Sequence, residues 1–321
     1  MLKYYFKNDS RDPYYNHALE YFFANHKLPI FMLWSNDDAI LLGRHQNLFR
    51  EVDVKYARDN NIKLVRRLSG GGAIYTDPLN AQFTFIESQD RGNDFKYFAE
   101  LIIEQLAKFG IKAEFVGRND IHVNGSKVSG NAQYMKNSMV VHHGTILYNV
   151  NMEKLSHALT PQKIKFEGKQ VKSVQSRVTT LSDMVDLDSK GFFAAIQDGI
   201  INDLNLEEYK LDEKDKDEIE SYVQKFKDED FILGQGATKA RYQVKHPFGI
   251  VEYVYDINNG KMENFAIEGD FFSNKDIEEF TQKFEGKKMD VGLFEEILND
   301  ICIDDYIVGM NKKDFIGDIF A

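Results

Sequence analysis

Apolar residues recur along this chain in two rhythms, and the alternation between them predicts most of its elements. Tyr15, Ala18, Leu19, Phe22 and Phe23 keep the three-and-four spacing of a helix ending near His26, with Asp12 as its cap and Pro13 in the first helical position. Residues 30–43 predict two strands around the turn Ser35-Asn36-Asp37-Asp38, closed by a donor-rich tip, Gly43-Arg44-His45-Gln46-Asn47. That tip reads equally as a solvated loop or as one wall of a pocket. A short helix over 52–60 leads into a strand that ends at Arg66 and Arg67. Apolar runs at 73–75 and 83–86 follow. Asn93 or Asp94 then caps a helix with Phe98, Leu101, Ile102, Leu106 and Phe109 on one face, stopped by Gly110.

Residues 111–116 read as a strand, and Asn124-Gly125 between alternating positions predicts a two-residue hairpin. A further strand covers 139–150. A short helix over 152–159 precedes a lysine-rich loop over 162–178, whose Lys172 and Arg177 either close over a site or lie in solvent. Phe192, Phe193, Ile196, Ile200, Ile201 and Leu204 mark a helix, and an acidic helix comes next. Periodicity fades over 231–245, which contains Gly234 and Gly236 and is expected to be a linker. Val251, Tyr253, Tyr255 and Ile257 then restart a strand pattern, Asn259-Gly260 turns it back, and two helices are expected over 274–284 and 290–301. The expected architecture is α/β (mixed α+β). A domain built on a mixed sheet flanked by helices takes residues 1–244, and a small α+β domain takes 245–321.

Composition narrows the partners. A chain of 321 residues with 43% hydrophobic and 28% charged residues can bury a core. Its net charge of −11 argues against a general nucleic-acid binder, which works by neutralising phosphates. The excess is local: between Asp203 and Asp230 twelve acidic residues face five lysines. Cys302 is the single cysteine, so no disulfide or protein-built metal cluster can rest on cysteine, which fits a reducing compartment. The N-terminal residues lack the apolar core of a secretory signal, and there is no apolar run of about 18 residues. A cytoplasmic, monomeric protein without membrane contact is expected.

The candidate chemistry starts at Ser69-Gly70-Gly71-Gly72. Three glycines in a row cost backbone entropy, and one reason for them is a ligand lying against the main chain. With Arg66 and Arg67 beside the loop, that ligand is expected to be an anion. The segment fits neither the Walker pattern nor the dinucleotide fingerprint. The Asn124-Gly125 hairpin brings Asp120 and Lys127 onto neighbouring strands, and Lys127 lies among Ser126, Ser129 and Gly130, where its side chain can turn inward. His142 and His143 are adjacent on a strand and face opposite sides, so they cannot share a metal.

Three ordered motifs, RRLSGGGAIY with Asp77 and Asn80, GRNDI with KVSGNAQ, and HHGTIL, together resemble the lipoate–protein ligase family from about Asp12 to Val178. The resemblance implies a fold shared with biotin ligases and octanoyltransferases. It also implies two half-reactions: lipoate and MgATP form lipoyl-AMP, and the lipoyl group passes to a lysine of an apo lipoyl-carrier domain. By motif position it makes Lys127 the catalytic residue, bridging the acyl carboxylate and the α-phosphate. It gives Arg67, Gly72, Ala73, Ile74, Tyr75 and Lys127 to the nucleotide, and Ser69, Gly71, Lys127, His143 and Gly144 to lipoate. Asp120 is assigned to Mg²⁺ or to orienting Lys127. ATP and Mg²⁺ are the expected substrate and activator, with no prosthetic group. Thr76 stands where the family often has His, and Pro78-Leu79 where it often has Leu-Gly. The rival readings are an acyltransferase working through a cysteine thioester, a biotin ligase, and a non-catalytic lipoate- or lipoyl-domain-binding protein. The first would rest on Cys302, remote from the motifs, and the second lacks its arginine-rich adenylate loop. An intact Lys127 and Arg67 argue against the third.

Overall fold

In a computed structural model the chain is described over residues 1–46, 48–88, 90, 94–159, 179–233 and 238–320. In chain order the elements are β1 (Tyr4–Lys7), α1 (Pro13–Asn25), β2 (Ile30–Trp34), β3 (Ala39–Leu42), α2 (Leu48–Glu51), α3 (Val54–Asp59), β4 (Lys63–Arg66), β5 (Ile74–Thr76) and β6 (Ala81–Ser88). Then come α4 (Phe95–Lys108), β7 (Ala113–Val116), β8 (Asp120–Val123), β9 (Ser126–Lys136), β10 (Met139–Ile146), α5 (Met152–Ala158), α6 (Ser189–Leu204), β11 (Glu207–Glu208) and α7 (Glu213–Lys227). The last are α8 (Glu229–Leu233), β12 (Thr238–His246), β13 (Gly249–Asn258), β14 (Lys261–Gly269), α9 (Ile277–Thr281), α10 (Val291–Ile297) and α11 (Lys312–Phe320).

Two units emerge. The first takes the described residues of 1–44, 62–156 and 171–228, and the second those of 45–61, 157–170 and 229–321. Unit 1 is built on an eight-stranded mixed sheet in the order β11-β1-β2-β6-β10-β9-β8-β7, with a separate three-stranded sheet β4-β3-β5. Phe31, Phe83, Phe85, Phe98, Ile102, Leu106, Val140, Phe192 and Ile196 form the core where α4 and α6 cover one face of the large sheet. Helix α1 lies against β6 and β10, and α7 packs along α1. The acidic segment thus earns its helix from one apolar stripe, Ile219, Val223 and Phe226, and from a capping box between Asp212 and Asp215.

One difference from the sequence reading has its cause in burial. The strands on either side of Ser35–Asp38 both form, but they do not pair with one another: β2 joins the large sheet and β3 the small one. Every residue in both is buried, so no polar-out alternation marks them as a solvent-faced hairpin. The expected hairpin at Asn124-Gly125 does form, with positive φ at both residues as that turn requires.

Unit 2 contains α2, α3 and the antiparallel sheet β12-β13-β14. Val251, Tyr253, Tyr255 and Ile257 are the buried positions of β13, and Asn259-Gly260 turns the second hairpin. The expected linker is corrected here. Its residues 238–246 form β12, which pairs with β13 over its full length, so a boundary at 244/245 would cut a strand from its sheet. The division falls between Asp228 and Glu229. The helix expected over 290–301 is α10 followed by a 3₁₀ turn, and α11 near the C-terminus was not expected. Lys172 and Arg177 lie outside the described residues. No helix among the described residues is long and apolar enough to cross a membrane.

His17 of α1 is fully buried, its Nδ1 donating to the Pro13 carbonyl at 2.8 Å, and burial lowers its pKa from 6.5 to about 4. Below about pH 6.5 the unfolded chain takes up this proton while the folded one refuses it, so stability is full above that pH and falls as the pH drops toward 4. Between pH 7.5 and 5.0 His17 alone should remove about 2 kcal/mol, read as a lower denaturant midpoint. The variant His17→Gln should flatten that dependence; an equally steep one in the variant would exclude His17 as its source.

Candidate active site

The glycine loop is held from within by Arg67. This guanidinium is buried, and each of its nitrogens donates to the surrounding chain: Nε to Ser69 Oγ at 3.1 Å, Nη1 to the Leu41 carbonyl at 2.6 Å, and Nη2 to the carbonyls of Gly70 and Gly72 at 3.0 and 2.6 Å. Gly71 has φ +94°, and a Cβ there would sit 3.1 Å from Arg67 Nη2, so both conformation and space demand glycine. Above Gly70 and Gly72 the chain leaves open space. Arg66 is also buried, and its Nη1 donates to the carbonyls of Gly43 and Arg44. With Arg44 N donating to Ser69 O at 2.8 Å, the main chain at Gly43-Arg44 flanks the loop.

After the loop, β5 pairs with β3, burying Tyr75 and leaving Ala73 and Ile74 half-buried. The two departures from the motif are accommodated. Thr76 is buried and accepts from Asn36 Nδ2 at 3.1 Å. Pro78 takes the second position of a turn closed by Asn80 N donating to the Asp77 carbonyl, where its fixed φ is favoured. Asp77 also accepts from Leu79 N, Asn80 Nδ2 and Asn151 N, and Asn80 accepts from Tyr148 N, which fastens this turn to the segment after β10.

From Ser69 a chain of hydrogen bonds runs into the interior. Ser69 Oγ lies 2.7 Å from His143 Nε2, and His143 Nδ1 lies 2.9 Å from Glu20 Oε1 on α1. The Thr84 hydroxyl donates to the same Glu20 oxygen at 2.6 Å and accepts from Trp34 Nε1 at 2.9 Å. Because Arg67 can only donate, Ser69 Oγ accepts from it and keeps its own proton free for Nε2. Burial pushes the Glu20 carboxyl up, but His143, His17 and Thr84 together hold it below the ordinary carboxylate value. Burial lowers Arg67 to about 10, with Glu20 opposing, so it stays charged at neutral pH.

His142 points the other way. It meets Gln133 and Asn131 through its two ring nitrogens and stacks on Phe98, and burial keeps it neutral. The two histidines thus divide as strand alternation requires. Gly144 belongs to the His142 side: a Cβ there would meet Phe83 Cζ at 2.3 Å and Asn131 Oδ1 at 2.4 Å, so packing accounts for it.

Lys127 shares the His143 face. Its Nζ lies 2.8 Å from Asp120 Oδ1 and only 2.7 Å from the point a Cβ would occupy on Gly130. Gly130 and Ala132 alternate onto one face of β9, and Ala132 pairs with His143. Gly130 N donates to Thr145 Oγ1, two residues from His143 on β10. The ammonium and the buried Ser69–His143–Glu20 chain are therefore one pleat apart on a single face, about 7 Å along the strands. Asp120 is thus ion-paired with Lys127, and no group of acidic, histidine or cysteine side chains suited to holding a metal occurs among the described residues. Cys302 is exposed in unit 2. Glu20, Thr84 and Trp34 escaped the sequence reading; the one signal was a glutamate set between Leu19 and Phe22 on an apolar helix.

The profile of the Lipoyl protein ligase A/B catalytic domain matches residues 12–201, and that of the Bacterial lipoate protein ligase C-terminus matches residues 237–319. Lipoate-protein ligase LplJ of Bacillus subtilis is 33% identical over 96% of this chain and 97% of its own. Lipoate–protein ligase 1 of Staphylococcus aureus is 31% identical over 98% and 99%. Among solved structures, a bi-partite lipoate protein ligase from Thermoplasma acidophilum, described with its E2 lipoyl domain, is 25% identical with a TM-score of 0.64, covering 73% of this chain and 97% of its own.

Removing one end of the buried pair leaves the other stranded. His143→Ala should destabilise unit 1 by about 3–5 kcal/mol, and pairing it with Glu20→Gln should cost clearly less than the two losses added. Additive losses in denaturant unfolding would deny the coupling.

Proposed function

The chain belongs to the lipoate–protein ligase family, and on that premise we propose that it activates free lipoate with MgATP and passes the lipoyl group to a lysine of an apo lipoyl-carrier domain. In the first step a lipoate oxygen bonds to the α-phosphorus and pyrophosphate leaves. In the second the ε-amine of the acceptor lysine bonds to the acyl carbon, AMP leaves and a proton is released. The acceptors are lipoyl domains of 2-oxoacid dehydrogenase subunits or the glycine cleavage H protein, and the compartment is the cytoplasm.

One observation carries this reading: a lysine ammonium, fixed by Asp120 over the bare main chain of Gly130, shares a sheet face with the end of a glycine loop. Joining a carboxylate to a phosphate brings two anions together, and a positive charge fixed beforehand between them lowers that barrier. Lys127 supplies it, and Gly130 makes room for it. Gly72, Ala73, Ile74 and Tyr75 offer the nucleotide a strip of main chain beside the open space above the loop. Ser69, Gly71 and His143 border the acyl group.

Arg67 serves the nucleotide through the loop. Its donors already hold the carbonyls of Gly70 and Gly72, so it sets the shape of the strip along which the nucleotide lies. Magnesium arrives with ATP and neutralises phosphate charge, and Asp120 is the carboxylate beside Lys127 able to meet it.

Purified protein given ATP, Mg²⁺ and lipoate should form lipoyl-AMP, and adding an apo lipoyl domain should yield its lipoylated form. Binding of lipoate without lipoate-dependent pyrophosphate exchange would reduce the protein to a carrier. Lys127→Ala should lower that exchange at least about 10²-fold with thermal unfolding unchanged. Gly130→Ala should act alike, because its methyl group meets only the movable tip of Lys127 and displaces it, costing on the order of 10²-fold in rate and little in stability. Exchange at the parent rate in either variant would remove Lys127 from the chemistry.

A further inference from the structure

Gln82 lies on β6 with 3% of its surface exposed, and neither Nε2 nor Oε1 has a hydrogen-bond partner among the described residues. A buried carboxamide with both ends unmet lowers the stability of the ligand-free fold, and such groups are rare unless something else meets them. Its position says what that is. Residues 82 and 84 of β6 share a face; Thr84 pairs with His143 of β10, and Gln82 pairs with Thr145 of β10 and Trp34 of β2. Thr145 Oγ1 accepts from Gly130 N, and Lys127 Nζ lies over Gly130. Reading across the adjacent strands β6, β10 and β9, Gln82 is thus two strand spacings, about 10 Å, from the main chain beneath the ammonium. Thr145 stands between them on the same face. Thr84, one pleat away, and Trp34, paired directly with Gln82, are already bonded to each other, and Thr84 to Glu20, so neither meets the Gln82 amide.

We propose that Gln82 holds the acyl carbonyl of the substrate. The inference rests on the reading of this face as the lipoate and lipoyl-adenylate site. Nε2 donates to the carbonyl oxygen, and Oε1 accepts from the acceptor lysine's amine as it approaches the same carbon. Both unmet ends of the carboxamide are then used at the one atom where bonds change. When the amine nitrogen bonds to the acyl carbon, the carbonyl oxygen takes the electron pair and its bond from Nε2 strengthens; collapse restores the carbonyl and expels AMP, and the nitrogen gives up one proton to water. Lys127 serves the phosphate side of the mixed anhydride and Gln82 the acyl side. A wall of small apolar residues would have sufficed for an alkyl chain, and a carboxamide there marks where the ligand stops being apolar.

The test uses the full chain with Gln82→Met, similar in size but without the amide, and Gln82→Leu as a second variant. Single-turnover transfer from supplied lipoyl-AMP to an apo lipoyl domain should fall on the order of 10²-fold in both, with KM for ATP in pyrophosphate exchange unchanged. Thermal unfolding of the ligand-free variants should shift upward or stay level, because an unmet polar group has been removed. Stabilisation by added lipoate should shrink. Transfer at the parent rate in both variants would overturn the assignment. A lower melting temperature in both would also overturn it, because the amide would then be serving the fold. Failure of the parent protein itself to bind lipoate or to use lipoyl-AMP would instead remove the reading of the site on which the assignment stands.

Discussion

Among the buried charges of unit 1, Arg67 and Glu20 are an opposite pair linked by hydrogen bonds, and the candidate site is organised around keeping them there. Arg67 and Glu20 are each withdrawn from water, an arrangement that is strongly unfavourable unless every charge is matched and hydrogen-bonded. Ser69 and His143 join them through hydrogen bonds, and Thr84 and the Gly70, Gly72 and Leu41 carbonyls add further bonds to the two charged groups. One connected set therefore ties the glycine loop, β10, β6 and α1 together. The loop follows from it: its carbonyls turn inward to Arg67, so its open side faces away from the protein.

This arrangement explains what the sequence disclosed and what it withheld. Elements with a single apolar face were legible: α1 from its cap and spacing, α4 likewise, and both Asn-Gly hairpins from turn chemistry alone. Strands buried on both faces were legible as strands, but not by partner, because β2 and β3 have no polar edge to declare which sheet they join. β12 was missed for the reverse reason: lysine, arginine and glutamine fill a strand that only antiparallel pairing with β13 explains. Within the site the glycines, Lys127, Asp120 and the division of His142 from His143 followed from local rules. Glu20 and Gln82 did not. Each is a polar residue set in an apolar run, and only the register of neighbouring strands and helices shows what stands opposite it.

The arginine pair shows how far a motif reaches. Position in the RRLSGGG stretch suggests a residue that meets the nucleotide, whereas geometry shows a guanidinium whose three nitrogens already donate to Ser69 Oγ and three main-chain carbonyls. Both statements hold if the loop's shape is what recognises the ligand, with Arg67 as the brace behind it. A brace and a contact differ in how they tolerate replacement. A surface contact is a matter of charge, which lysine would preserve, whereas the planar fork reaching Ser69, Leu41, Gly70 and Gly72 at once has no lysine equivalent.

Lys127 stands on the other side of that contrast. Arg67 is fixed by several bonds in a buried setting, while the Lys127 ammonium has, among the described residues, the one partner Asp120 and a glycine beneath it. A charge that must meet a carboxylate, then a phosphate, then neither, should be held lightly enough to change partners and yet be prevented from wandering into solvent. A single ion pair over a surface without a side chain does that. The rigid half of the site lies in the loop and the buried pair, and the adjustable half in the hairpin. On the proposed function, the chemistry of acyl activation belongs at their meeting, on the face of β9 and β10 where Gly130, Thr145 and His143 follow one another.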